Sequence, residues 1–179
     1  MSHMARTSDD ELLLGEWACL GILAVAPAHG FAVAKRLAPE GDVGRVWSLS
    51  RALTYRAIDQ LVARGYLAAV GEEPGTAGGN RTLLAPTRSG RAQLRRWLAT
   101  PTQHLRDVRS ELLLKLVLAE LNAVDTHELL VRQREQIAGI AASRAGADPA
   151  DVVALWRRES ANAALRFLDA LLSPPTGDR

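Results

Sequence analysis

The stretch LTYRAIDQLVARGYL, residues 53–67, sets a tyrosine beside an arginine, Tyr55 and Arg56, shortly after another arginine, Arg51. A guanidinium offers donors in a planar fork that matches phosphate oxygens and guanine edges, and a hydroxyl can bond to either. Such groups along one edge of a short helix suit a polyanion. Enzymatic chemistry has no comparable foothold. His29, His104 and His127 stand apart, and neither HExxH nor CxxC occurs, so no local motif assembles a zinc site. The glycine-rich run at residues 75–79 lacks the lysine of a P-loop. No Ser-His-Asp arrangement can be read from one sequence either. The expectation is a chain that is not an enzyme and needs neither metal nor cofactor.

The arginine-bearing edge needs a scaffold, and the surrounding pattern supplies one. Residues 9–26 have apolar positions at 12, 13, 17, 20, 23 and 24, a helical period, with Asp9, Asp10 and Glu11 where a helix dipole favours anions. Pro27 closes that helix, and His29-Gly30 opens a shorter one ended by Pro39. A glycine-bearing loop at residues 40–49 comes next. Ser48 or Ser50 can cap a third helix over residues 50–64, stopped by Gly65. Positions 54, 58, 61, 62 and 65 share its inner side, and Arg51, Arg56, Gln60 and Ala63 lie outside it. YLAAV and RTLLAPT around a Gly-Gly-Asn loop read as a hairpin, and RAQLRRWLAT, ended by Pro101, as a helix. Three helices, a hairpin and a helix make a winged helix-turn-helix. In that architecture the third helix enters a major groove, and the wing reaches the backbone or minor groove beside it.

Charge agrees with that placement. The net charge is +2, but residues 30–100 hold eleven bases against five acids, net +6. A local basic surface is the footprint of a polyanion partner, although a merely solvated surface has the same charge pattern. Arginine outnumbers lysine twenty to two, which fits a GC-rich genome. A single cysteine, Cys19, excludes an internal disulfide; it sits in the apolar run WACLGIL and reads as a small buried hydrophobe. No apolar run has membrane-spanning length, and the N-terminus lacks a signal-peptide pattern. The expected setting is reducing and cytoplasmic, without a membrane partner. Met1-Ser2-His3-Met4 reads as a vector remnant ahead of a native Met4.

The remainder reads as helices: residues 106–123, then residues 126–146 with a capping-box-like start from Asp125 and Glu128, then a long helix opened by Asp148-Pro149 and ended by Ser173-Pro174-Pro175. Apolar positions 152, 153, 156, 163, 164, 167, 168, 171 and 172 form one broad stripe on the last helix. Such a stripe needs cover, from the winged domain or from a second copy. A homodimer suits DNA, because a two-fold protein matches a palindromic site. Val152, Trp156, Phe167, Leu168 and Leu171 are the expected interface. The chain is therefore expected to be mostly α, with a winged helix-turn-helix domain at residues 9–100 and a helical dimerisation domain at residues 105–173.

LTYRAIDQLVARGYL resembles the recognition helix of the PadR family of bacterial repressors, with Tyr55, Ile58, Leu61 and Gly65 in register. HGFAVAKRL is similar to that family's second helix. LAPTRSGRAQLRRWL resembles its segment after the wing, with Thr87, Gly90 and Trp97 in place, and SELLLKLVLAE resembles the opening of its C-terminal helical domain. Thr54 and Arg56 depart from the family's leucine and proline. The resemblance implies a homodimeric repressor that binds an inverted repeat in double-stranded DNA and is released by a small, often aromatic effector. It assigns Ser50, Arg51, Thr54, Tyr55 and Arg56 to DNA, with Gly79, Asn80 and Arg81 on the wing and Arg64 as a further phosphate contact. Core packing is the plainer reading for every tryptophan; an effector cavity walled by Trp17 or Trp156 is the sharper one. Two rival readings are a winged-helix protein–protein module, which would present an acidic or apolar third helix, and a ligand-sequestering protein without DNA binding.

Overall fold

The computed structural model describes residues 11–75, 79–146 and 150–173. The chain divides into two compact units, one up to Leu94 and one from Arg95 onward.

The first unit is a winged helix-turn-helix: α1 (Leu14–Val25), α2 (Gly30–Arg36), α3 (Arg51–Ala63), β1 (Leu67–Pro74), β2 (Asn80–Pro86) and the first turns of α4 (Arg88–Leu98). α1 begins later than its acidic prelude suggested. Its N-cap is Leu13, which offers no side-chain oxygen, and the Glu16 carboxylate accepts from the Leu13 N–H at 2.8 Å instead. Asp9 and Asp10 lie outside the described residues. From Gly15 to Leu23 every residue of α1 is buried, so it is the central post of the unit and packs on α3. Cys19 is among these residues, and burial, with a smaller contribution from Glu16, pushes its thiol up to about 12. It is a packed hydrophobe, as expected.

Both ends of α3 are closed locally. Ser50, rather than Ser48, is the N-cap, its Oγ accepting from the Leu53 N–H at 3.3 Å. At the other end Gly65 takes φ +71°. The Tyr66 N–H bonds the Leu61 carbonyl at 2.8 Å and the Gly65 N–H bonds that of Val62 at 2.9 Å, a Schellman closure that turns the chain straight into β1. The two strands pair antiparallel from Leu67 opposite Pro86 to Pro74 opposite Asn80, with an irregularity between Ala69 and Gly71. Ala28, between α1 and α2, bonds Leu84 in both directions, at 3.1 and 2.9 Å, and so anchors the wing to the helices.

The second unit starts inside α4, ahead of the expected boundary at residues 100–105, because the end of that helix is bonded to the segments C-terminal to it. Lys115 Nζ lies 4.9 Å from the Trp97 ring centre, donates to the Thr100 carbonyl and pairs with Glu111 at 2.6 Å. Gln133, fully buried, accepts from the Thr102 N–H at 2.7 Å and returns its amide to the Thr102 carbonyl. The helix expected over residues 106–123 is broken into a 3₁₀ turn (Leu105–Asp107), a π turn (Val108–Leu112) and α5 (Leu113–Leu121). α6 (His127–Ala142) lacks the expected capping box: its N-cap is Thr126, Asp125 accepts from the His127 N–H, and Glu128 faces Arg132 at 3.4 Å. α7 (Val152–Leu172) is capped by Asp151, which accepts from the Val153 and Ala154 N–H groups. The expected start at Asp148-Pro149 and the closing Pro174-Pro175 lie outside the described residues. Val108, Leu112, Leu129, Leu130, Ile137, Ala164 and Leu168 form this unit's core. No described helix is long and apolar enough to cross a membrane.

Candidate nucleic-acid interface

α3 turns two faces to different surroundings. Thr54, Ala57, Ile58 and Leu61 are buried, whereas Arg51, Tyr55, Arg56, Asp59 and Gln60 are exposed. Val62, expected on the inner side, is exposed. The outer residues follow i, i+4 spacing, which stacks them along one edge. That edge carries two guanidiniums and a phenol, with one carboxylate, Asp59, toward its end.

The expected contact residues divide accordingly. Arg51 and Arg56 stand in solvent at the first turns of the helix. Tyr55 is 42% exposed, and its ring lies over Gly30, where a Cβ would come within 2.6 Å of Cε1. Glycine at the start of α2 therefore leaves room for the phenol ring against the scaffold. Thr54 corrects the expectation. It is 0% exposed and its hydroxyl donates to the Ser50 carbonyl at 3.0 Å, so it locks the first turn and has no surface for a base or phosphate. Ser50 contributes its hydroxyl as a cap. Arg64 is half-buried and holds one Nη without solvent contact or a partner. It is thus less available than Arg51 or Arg56.

On the wing Gly79 takes φ +89°, which glycine adopts without strain. The Asn80 amide is engaged by Glu72 at 2.7 Å. Arg81 leans toward the helices: its guanidinium lies 5.9 Å from the centre of the Phe31 ring, and that of Arg51 lies 5.0 Å from the same ring. Phe31 thereby joins α3 to the wing through two cation–π contacts, each worth about 0.5–1 kcal/mol at an exposed site.

His29 completes this junction. Its Nδ1 accepts from the Ala32 N–H at 3.1 Å, capping α2. The neutral ring then carries its proton on Nε2, which donates to Glu73 of β1 at 3.0 Å. With that proton in place, the 3.3 Å approach of Arg81 Nη1 to Nε2 is a packing contact rather than a hydrogen bond. The His29 and Phe31 rings stack at 6.2 Å. Sequence reasoning missed both residues as parts of the interface. The signal was aromatic residues on either side of Gly30, at the start of the helix that braces α3.

The remaining expected sites fall elsewhere. Trp17 is buried within α1 and lines no described cavity. Trp156 is 72% exposed and lines a cleft in the second unit. Val152, at 74% exposure, and Leu171 are also exposed on α7, and Phe167 is partly buried against the core. Leu168 is a second correction: it is fully buried among Leu129, Ile137 and their neighbours, so its side chain serves its own unit and cannot meet a partner. Among the described residues no group of three or more His, Cys, Asp or Glu side chains could hold a metal ion.

No family model matches the chain, and no curated protein does. Several solved structures resemble it. PadR of Bacillus subtilis in complex with operator DNA is 16% identical, with 88% of this chain and 97% of that chain covered and a TM-score of 0.46. The virulence activator AphA of Vibrio cholerae is 22% identical, with 89% and 92% covered and a TM-score of 0.42. The PadR-like transcriptional regulator BC1756 of Bacillus cereus is 18% identical, with 93% and 98% covered and a TM-score of 0.41. The likeness to each spans most of both chains.

Proposed function

We propose that this chain is a sequence-specific DNA-binding transcriptional regulator that acts as a homodimeric repressor and is released from its operator by a small effector. The observation that carries the reading is the exposed edge of α3. Arg51, Tyr55 and Arg56 stand in solvent there, and Phe31 draws Arg51 and the wing's Arg81 to one ring. The guanidiniums provide phosphate attraction in any sequence, and those that reach base edges add discrimination. The hairpin offers Arg81 and the backbone around Gly79 to the neighbouring backbone or minor groove. Neither the acidic nor the apolar third helix of a protein-binding module is present. The exposed Val152, Trp156 and Leu171 of α7 support a two-fold assembly, whose pair of α3 edges would read an inverted repeat. An effector that binds one arrangement of the pair better than the other lowers DNA affinity by that difference.

A mobility-shift titration against the DNA upstream of the chain's own gene, at two salt concentrations, tests this. Sequence-specific retention that weakens steeply with salt is the expected result. Absence of retention at about 50 mM salt, where phosphate contacts are strongest, removes the proposal.

A further inference from the structure

The uncovered side of α3 carries one group that a polyanion repels. Thr54, Ala57, Ile58 and Leu61 fix the inner side of the helix. Successive residues turn by about 100°, so Ala52, Arg56, Asp59 and Ala63 lie opposite that inner side, and all four are exposed. Arg51 and Tyr55 stand on one flank, over Phe31 and Gly30, and Gln60 stands on the other. The two alanines on the crest leave its middle free to approach the floor of a groove, and the groups at that middle are Arg56 and Asp59. Asp59 forms no ion pair with a described residue. An arginine can swing along its flexible stem to a phosphate. An aspartate has a single methylene and stays on the crest. Facing phosphates, it would weaken binding to every duplex alike; it suits a groove only opposite a hydrogen-bond donor. In the major groove cytosine N4 and adenine N6 are the donors, whereas guanine and thymine present acceptors. The adenine amino group lies between two acceptors, its own N7 and the O4 of the paired thymine. The cytosine amino group has one, the O6 of its guanine, and a C–H on its other side.

We propose that Asp59 is a specificity-determining residue of this interface: its carboxylate accepts from the N4 amino group of one cytosine in each half-site and rejects the other three bases at that position. This assignment rests on the DNA-binding reading above and adds the base that is read. Arg51 and the wing's Arg81 attract any duplex, because phosphates carry no sequence. Asp59 subtracts from that attraction on every duplex except those that set a cytosine before it. Sequence preference then comes from repulsion of wrong sites as much as from attraction to the right one.

Selection of sites by the full chain from a pool of random duplexes, followed by competition with single-pair changes in the selected site, tests it. The parent is expected to select a half-site with a fixed cytosine, and replacing that pair is expected to weaken binding about tenfold. Asp59→Ala is expected to lose the preference at that one position, to keep it at the others and to bind unrelated duplexes more tightly than the parent. Asp59→Asn, which sets a donor beside the acceptor, is expected to move the preference to adenine. A carboxylate that served only the fold or its own hydration would produce neither change. A further measurement uses the parent alone and decides the matter should the variants not fold. N4-methylation of the selected cytosine, whose remaining N–H is committed to base pairing, is expected to weaken binding about tenfold. A selected site whose preferences are the same for parent and Asp59→Ala, a changed position that is not cytosine, or undiminished binding to the methylated site overturns the assignment and leaves DNA binding in place. A parent that retains DNA but enriches no sequence overturns it too. Absence of retention of any duplex at about 50 mM salt removes the DNA-binding reading along with it.

Discussion

α3 and α7 are both half-covered helices, and they differ in the balance of chemistry they leave uncovered. α3 buries Thr54, Ala57, Ile58 and Leu61 and exposes arginine, tyrosine, aspartate and glutamine, with Leu53 and Val62 beside them. α7 buries Ala161, Ala164 and Leu168 and exposes Val152, Val153, Trp156 and Leu171 together with charged residues such as Arg157 and Arg166. Water solvates the outer edge of α3 well, so that edge can wait for a polyanion without destabilising the fold. The outer edge of α7 leaves apolar area in water at about 25 cal/mol per Å², so it gains from any apolar surface that covers it. Exposure alone therefore does not define a site. The charge and polarity of the exposed groups decide which partner they suit.

The comparison breaks most visibly at Leu168. Leu168→Asp places a carboxylate in the core of the second unit and is expected to destabilise it by about 4 kcal/mol or more, read as loss of its cooperative transition in chemical denaturation. Trp156→Ser, on the same helix but facing out, is expected to change that transition by less than about 0.5 kcal/mol while converting a dimer to monomers in sedimentation. A dimer that survives Trp156→Ser places the interface elsewhere. Lys115→Met comes next in size. It removes a donor to the Thr100 carbonyl and the partner of Glu111, with an expected loss of about 2–3 kcal/mol.

The same contrast explains which features could be read in advance. The winged unit was legible because local signals agreed with the tertiary structure: the cap at Ser50, the left-handed Gly65 and the alternation of buried and exposed residues on α3. Thr54 was assigned to DNA through the family resemblance although the helical period put it on the inner side, where its hydroxyl bonds the Ser50 carbonyl one turn back. His29 and Phe31 stayed hidden because their role depends on residues distant in sequence, Glu73 and Arg81. In the second unit an apolar stripe cannot tell an inward leucine from an outward tryptophan a few turns away, so Leu168 and Trp156 were placed on one surface. The π turn ahead of α5 gave no sequence signal, since residues 108–121 suit an unbroken helix equally well.

On the α3 side, Arg51→Ala with Arg56→Ala is expected to lower the slope of log affinity against log salt by about two units, while stability falls only by the lost Arg51–Phe31 contact, about 0.5–1 kcal/mol. An unchanged slope shows that another face meets the DNA. Thr54→Val is the control. It loses one hydrogen bond inside the helix, about 1 kcal/mol of stability, and leaves the salt slope as it was.

The smallest effects separate the two units by pH. In the first, the Arg36 guanidinium holds the Asp42 carboxyl below its ordinary 3.8. A lowered acid stabilises the fold above the unfolded value and loses that contribution as pH falls through the folded one. The pair is largely solvated, so Asp42→Asn should lose less than about 1 kcal/mol near neutrality, and its difference from the parent should vanish in acid. In the second, burial pulls Lys115 below its ordinary 10.5, with Glu111 opposing. Between the folded value and 10.5 the unfolded chain binds more protons, so Lys115 makes stability rise with pH there. Denaturation of the parent and of Lys115→Met across the alkaline range checks this: the deficit of the variant should widen toward 10.5. A deficit that narrows instead would mean that the ion pair with Glu111, rather than burial, sets the ionisation of Lys115.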